Sequence, residues 1–184
     1  VTSRGCPFSC TYCTESFNTH FNKGIGKKLR EQSPERVIKE LEYWKKKYDF
    51  EEVDFKNNSF SASKKWTLEF LKLYKKQIGV PYRIMTHPLL IDEDIAKAFK
   101  ESNCHRIQLG IQSMNEHTRH KILHRFEPNM RIVECFELLD KYKLNYSIDH
   151  IFGIPGESEE QQIEAFHYYK KLKYCSRITI FWLE

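Results

Sequence analysis

Apolar positions along this chain keep two alternating rhythms. The stretches EEVDFK (51–56), YRIMT (82–86), RIQLGIQS (106–113), YSIDHIFGI (146–154) and RITIFWL (177–183) are short, β-branched or aromatic, and bounded by polar or turn residues. That composition predicts strands. The stretches VIKELEYWKKKY (37–48), KKWTLEFLKLYKKQI (64–78), IDEDIAKAFKES (91–102) and SEEQQIEAFHYYKKL (158–172) repeat apolar residues three and four apart, the period of a helix with one buried face. Punctuation agrees with this division. Ser33-Pro34-Glu35 and Ser63 read as helix starts, and Gly79 with Pro81 as a stop. Two further helices are predicted over Asn115–His124 and Pro128–Tyr142, and VTSR (1–4) reads as a short opening strand ahead of a polar loop.

Strands alternating with helices require parallel pairing with helical crossovers. Six such units predict an α/β protein folded as a partial (β/α)6 TIM-like barrel with parallel strands, with a flat doubly wound sheet as the runner-up. In a barrel, chemistry belongs at the C-terminal ends of the strands. The residues placed there are the cysteine stretch that follows VTSR, then Asn57, Gln112 and Gly153.

Composition narrows the classes. With 184 residues, 40% hydrophobic and 30% charged, the chain suits one domain with a real core. No run approaches a membrane span, and no secretory signal opens the sequence, so no membrane partner and a reducing, cytoplasmic setting are expected. The absence of an initiator Met and the strand-like ends predict a piece of a longer protein whose flanking domains lie outside residues 1–184. The net charge of +5 comes from lysine runs on the polar faces of predicted helices. A solvated surface explains them, with an RNA-binding face as the sharper alternative.

Half of the six cysteines sit in TSRGCPFSCTYC (2–13), as Cys6, Cys10 and Cys13. Clustered thiols in a reducing compartment point to a metal rather than a disulfide. Three are too few for a closed four-thiolate site, but they can hold three irons of a four-iron cluster and leave the fourth open to a ligand. The alternative is a zinc site with His20 as fourth donor, although no second CxxC knuckle exists. Cys104, Cys135 and Cys175 lie apart and read as core residues. His117, His120 and His124 share a helical spacing, but their basic neighbourhood favours surface histidines. Asp149 and His150 alternate along one strand, so only one can face a barrel interior.

CPFSCTYC resembles the CxxxCxxC motif of radical S-adenosylmethionine (SAM) enzymes, including the aromatic residue before the last cysteine. TSRGCPFSCTYC, RIQLGIQSMNEHTRHKILHR and IDHIFGIPGES resemble most closely the cobalamin-binding and methylthiotransferase-like members. The resemblance implies a [4Fe–4S] cluster on Cys6, Cys10 and Cys13. It also implies SAM chelated at the open iron and cleaved reductively to a 5′-deoxyadenosyl radical that abstracts hydrogen from substrate. Further implied contacts to SAM are Tyr12 at the adenine or shielding the cluster, Gln112 and Ser113 at the ribose or methionine portion, Arg125 at the carboxylate, and the backbone of Ile154 to Gly156 at the adenine. Members often carry an acidic pair where this chain has Asn57 and Asn58, which can accept hydrogen bonds from the SAM ammonium without complementing its charge. Implied partners are an unidentified small-molecule substrate, a reductant such as flavodoxin or ferredoxin, and, for the methylthiotransferase variant, tRNA. Cobalamin would come from a missing N-terminal domain. A non-catalytic, zinc-stabilised binding module is the alternative of another class.

Overall fold

The computed structural model describes residues 1–183. Five strands form one parallel sheet: β3 (Val53–Phe55), β4 (Tyr82–Thr86), β5 (Cys104–Gln112), β6 (Tyr146–Phe152) and β7 (Cys175–Trp182), ordered β3-β4-β5-β6-β7. Each connection carries helix: α3 (Lys64–Gln77), α4 (Glu93–Glu101), α5 (Glu116–Lys121) with α6 (Asn129–Lys141), and α7 (Glu159–Tyr169), while α2 (Pro34–Tyr48) precedes β3. The starts follow local chemistry. Ser33, Ser63, Asp92, Asn115 and Ser158 each accept a backbone N–H at their helix N-terminus.

One face of the sheet meets all the long helices. Ile107, Leu109 and Ile111 of β5 and Tyr146 and Ile148 of β6 enter a single core with Phe70 and Phe136 from the helices. Each fully buried aromatic or aliphatic side chain contributes about 1.5–3 kcal/mol. The alternate positions, Arg106, Gln108 and Gly110 of β5 with Ser147 and Asp149 of β6, face the opposite side. Cover on one face separates a partial barrel from a doubly wound sheet.

The N-terminal segment departs from expectation. VTSR does not join the parallel sheet. Only β1 (Ser3–Arg4) forms there, paired antiparallel with β2 (Arg30–Glu31), so five parallel strands stand where six were predicted. Gly5, at φ 90°, turns the chain away at once, and a Cβ there would lie 1.8 Å from the Lys28 carbonyl oxygen. A short helix, α1 (Thr14–Phe21), lies within the stretch read as loop. It buries no residue, so periodicity gave no sign of it.

Asn57, just past β3, takes the place of the missing ladder. Its Oδ1 accepts the Thr2 N–H at 3.2 Å, and its Nδ2 donates to Thr2 Oγ1 at 2.8 Å and Ser3 Oγ at 2.6 Å. Thr2 and Asn57 are both buried. Asn57→Ala should therefore strand the Thr2 amide and cost about 1–3 kcal/mol. Denaturant midpoints and faster hydrogen exchange at Thr2 would show it, whereas an unchanged Thr2 exchange rate would mean that β1 is held by other contacts.

Candidate active site

The cysteine loop runs from Gly5 to the start of α1 at the C-terminal edge of the sheet. Cys10 is buried and Cys6 and Cys13 are half-buried, and all three are free thiols. The loop is pinned from several sides. The Cys13 N–H donates to the Cys10 carbonyl, Thr11 binds the backbone of Leu123 and Ile122, and Lys28 Nζ donates to Pro7 O and Ser9 Oγ. Burial pushes the Cys6 thiol up, and negative charge on Cys10 and Cys13 would push it further, so the three sulfurs sense one another. Burial also raises Cys10, opposed by the Arg125 guanidinium.

Tyr12 ties this loop to β5. Its hydroxyl accepts from Arg125 Nη1 at 3.2 Å, while Arg125 Nη2 donates to the Gly110 carbonyl at 2.5 Å and Nε to Glu127 Oε1 at 2.7 Å. Burial raises the Tyr12 phenol, which keeps it protonated. Tyr12 also packs with Leu123, Ile151 and Ile154, an apolar patch that joins the cysteine loop to the ends of β5 and β6.

Glu127, fully buried, is the hub of this corner. Besides Arg125, it faces Arg119 Nε at 3.9 Å and His87 Nε2 at 3.5 Å, and Arg119 also donates to the Glu127 and Ser113 carbonyls. Burial alone would raise the Glu127 carboxyl, but His87 and Arg125 together hold it at about 2. His87 stacks on Phe8 of the cysteine loop at 3.8 Å and is lowered to about 4, chiefly by burial. Its Nδ1 accepts the Leu89 N–H, so the neutral ring carries its proton on Nε2, toward Glu127.

Both shifts have the same sign for stability. The His87 contribution is complete above the unfolded value of 6.5 and is lost as pH falls through about 4; that of Glu127 is complete above 4.5 and is lost as pH falls through about 2. Stability should therefore decline from near pH 6.5 downward. His87→Gln should flatten the upper part of that decline in urea titrations at stepped pH, and an unaltered profile would remove His87 from the account.

The other expected residues divide. Gln112 adopts φ 70° at a β-bulge and folds back over Gly110, where its Nε2 lies 2.8 Å from the position a Cβ would take. Ser113 is buried and engaged by Glu157 and by the Asn115 N–H. Ile154 is buried beside Tyr12, whereas Gly156 lies exposed in the following turn. Asn57 is occupied with β1, and Asn58, exposed, donates to Glu15 of α1 at 2.8 Å. His150 points into the helical layer, between Tyr169 at 3.0 Å and Gln162 at 2.5 Å, so Asp149 takes the opposite face. α5 ends at Lys121, which takes His124 off the face of His117 and His120. Cys104 and Cys135 are buried in the core, and Cys175 is half-buried beside it. Glu127, His87, Arg119 and Glu157 were not read from sequence. Only His87 carried a signal, its place directly after a strand.

This arrangement, three thiols over the C-terminal edge of a parallel sheet with an arginine and a tyrosine locked beside them, coincides with a family match. The profile of the radical SAM superfamily matches residues 1–169. The chain belongs to that superfamily. Among radical SAM relatives, it is 30% identical over 173 residues to the uncharacterized methyltransferase PH0819 of Pyrococcus horikoshii, covering 94% of this chain and 36% of that protein. It is 26% identical over 190 residues to a tRNA-2-methylthio-N(6)-dimethylallyladenosine synthase of Clostridium perfringens, covering 95% and 40%. Its fold matches the radical SAM methyltransferase TsrM of Kitasatospora setae with TM-score 0.82 at 14% identity, over 97% of this chain and 35% of that one. The chain thus spans little more than a third of the length of these curated relatives. In this radical SAM domain, among the described residues, no three His, Cys, Asp or Glu side chains converge on a point suited to a single metal ion. The donor set suits three irons of a four-iron cluster with one iron left open: three free thiols on one pinned loop. No helix among the described residues is long and apolar enough to cross a membrane.

Proposed function

We propose that residues 1–184 are the core domain of a longer radical SAM enzyme. Cys6, Cys10 and Cys13 would hold a [4Fe–4S] cluster, which when bound supplies the electron for reductive cleavage of SAM. The observation that carries this reading is the pinned three-thiol loop at the C-terminal edge of a parallel sheet. The remaining roles belong to the chain itself. Tyr12 and Ile154 wall the site and limit water. Three of the five N–H donors of the Arg125 guanidinium are used on Glu127, Tyr12 and Gly110, and the other two remain for the SAM carboxylate. Gln112, whose side-chain amide has no hydrogen-bond partner among the described residues, and Ser113 border the ribose and methionine portion, and the 154–156 backbone borders the adenine. Asn57 supports the site by holding β1, and Asn58 offers its carbonyl oxygen to the SAM ammonium.

The resemblance to cobalamin-binding members and the methyltransferase relative favour methyl transfer to a small molecule, with cobalamin from a domain outside these residues. The methylthio-synthase relative keeps tRNA methylthiolation as the second reading. A cytoplasmic setting and reduction by flavodoxin or ferredoxin belong to either. The test is anaerobic reconstitution of the full-length protein with iron and sulfide, followed by dithionite and SAM. About four irons per chain and formation of 5′-deoxyadenosine support the reading. One tightly bound zinc and no cluster would replace it with a structural metal site.

A further inference from the structure

The sheet face opposite the helices carries charge that the cluster site does not use. Arg83 of β4 stands beside Arg106 of β5. The next row holds Gln108, Ser147 and Arg177, side by side on β5, β6 and β7, and the row beyond it Gly110, Asp149 and Thr179. A cavity of about 110 Å³ opens here, lined by Arg83, Arg106, Gln108 and Arg177 together with Asp54. Asp54 pairs with Arg83 at 2.9 Å and with Lys56 at 2.8 Å. Arg106 and Arg177 have no carboxylate partner among the described residues.

Unmet hydrogen-bonding capacity gathers on the same face. Among the described residues, the buried side-chain polar atoms without a partner include Arg106 Nε, Ser147 Oγ, Asp149 Oδ1 and Thr179 Oγ1. Ser147 is 1% and Asp149 7% exposed. Asp149 uses its other oxygen on Gln108 Nε2 at 2.7 Å. A buried polar group left unpaired costs about 1–3 kcal/mol, so a folded protein retains such groups together where a ligand or ordered water completes them. Arg106 is half-buried, and Arg177, exposed, lies within electrostatic reach of Asp149; an oxyanion between the two guanidiniums would satisfy their free N–H forks.

We propose that this face is the substrate seat and selects a small molecule bearing an oxyanion, gripped between Arg106 and Arg177, with a hydroxyl or amino group of the same molecule donating to Asp149. Asp149 lies two residues beyond the Arg177 row, about 7 Å along the strands, and this sets the separation of the two groups. Arg106 and Arg177 lie in the N-terminal halves of their strands, whereas Tyr12, Arg125 and the thiols gather at the C-terminal ends. The anion therefore points away from the cluster site and the other end of the molecule points toward it. Calling the ligand the substrate rests on the radical SAM reading; the anion site itself does not.

The experiment is calorimetric titration of the full-length, cluster-reconstituted protein with inorganic phosphate, methylphosphonate and acetate, which separate phosphate, phosphonate and carboxylate recognition. At least one should bind saturably. Arg106→Gln and Arg177→Gln should each weaken it tenfold or more, with far-ultraviolet circular dichroism and cluster absorbance retained. Arg106→Lys keeps the charge without the fork and should fall between; it also serves if the glutamine variant does not fold. No saturable binding of any probe, or binding that survives both glutamine substitutions, overturns the proposal. Arginine-dependent anion binding in a protein that forms no 5′-deoxyadenosine would uphold the site and remove the enzymatic reading instead.

Discussion

Serine in place of Cys6, Cys10 or Cys13 is expected to take the reconstituted full-length protein from about four irons per chain to near none and to abolish 5′-deoxyadenosine formation. The size of the effect follows from what a thiolate contributes. Groups that merely orient a metal ligand cost about 10–100-fold in metal affinity or activity when removed, so loss of a ligand itself should exceed about 100-fold. Serine leaves the loop intact, because its hydrogen bonds come from the Cys13 and Thr11 backbone, the Thr11 hydroxyl and Lys28, none of which is a cysteine sulfur. The fold should thus survive, and circular dichroism should match the unsubstituted protein. Retained iron and retained SAM cleavage in all three variants would sink the assignment of this loop as the cluster site. Matched loss of iron in all three, with Cys104→Ser unaffected, separates ligands from core cysteines.

Glu127→Ala is expected to be the most destabilising single substitution at the site. The carboxylate neutralises a buried corner that contains Arg125 and Arg119 and stands 3.5 Å from His87 Nε2. Removing one partner of a buried ion pair leaves a desolvated charge, at about 3–5 kcal/mol. Glu127→Gln keeps an acceptor for Arg125 Nε and should cost less, which distinguishes loss of charge from loss of shape. The consequence should reach the site, because Arg125 is what holds Tyr12. In the alanine variant, the Tyr12 contact should loosen and cluster occupancy should fall along with the denaturant midpoint. A midpoint within about 1 kcal/mol of the unsubstituted protein would show that the corner relaxes by admitting water and that Glu127 is not its hub.

Local signals explain how much of this site could be read in advance. Cys6, Cys10 and Cys13 stand within eight residues of one another, and their joint chemistry does not depend on the rest of the fold to be recognised. Ser33 and Ser63 cap the helices they were expected to open, since a cap acts over three residues. Gln112 and Arg125 were placed by resemblance, but their geometry was not: the bulge at Gly110–Gln112 and the Arg125–Tyr12 bond join positions far apart in the chain. Asn57, expected at the SAM ammonium, stitches β1 to the end of β3, a role that exists only because VTSR leaves the sheet.

The sequence by itself determined the alternation of strands and helices, the parallel sheet and the three-thiol loop, because each follows from periodicity, caps or spacing within a dozen or so residues. Tertiary structure alone decided that five strands rather than six form the parallel sheet, and that Asp149 faces away from the helices while His150 faces them. It also brought Glu127, His87 and Arg119 around Arg125, and placed Arg106 and Arg177 on one cavity with no salt-bridge partner among the described residues. Those outcomes depend on which distant side chains share a low-dielectric space and compete for the same partners, and no local pattern carries that information.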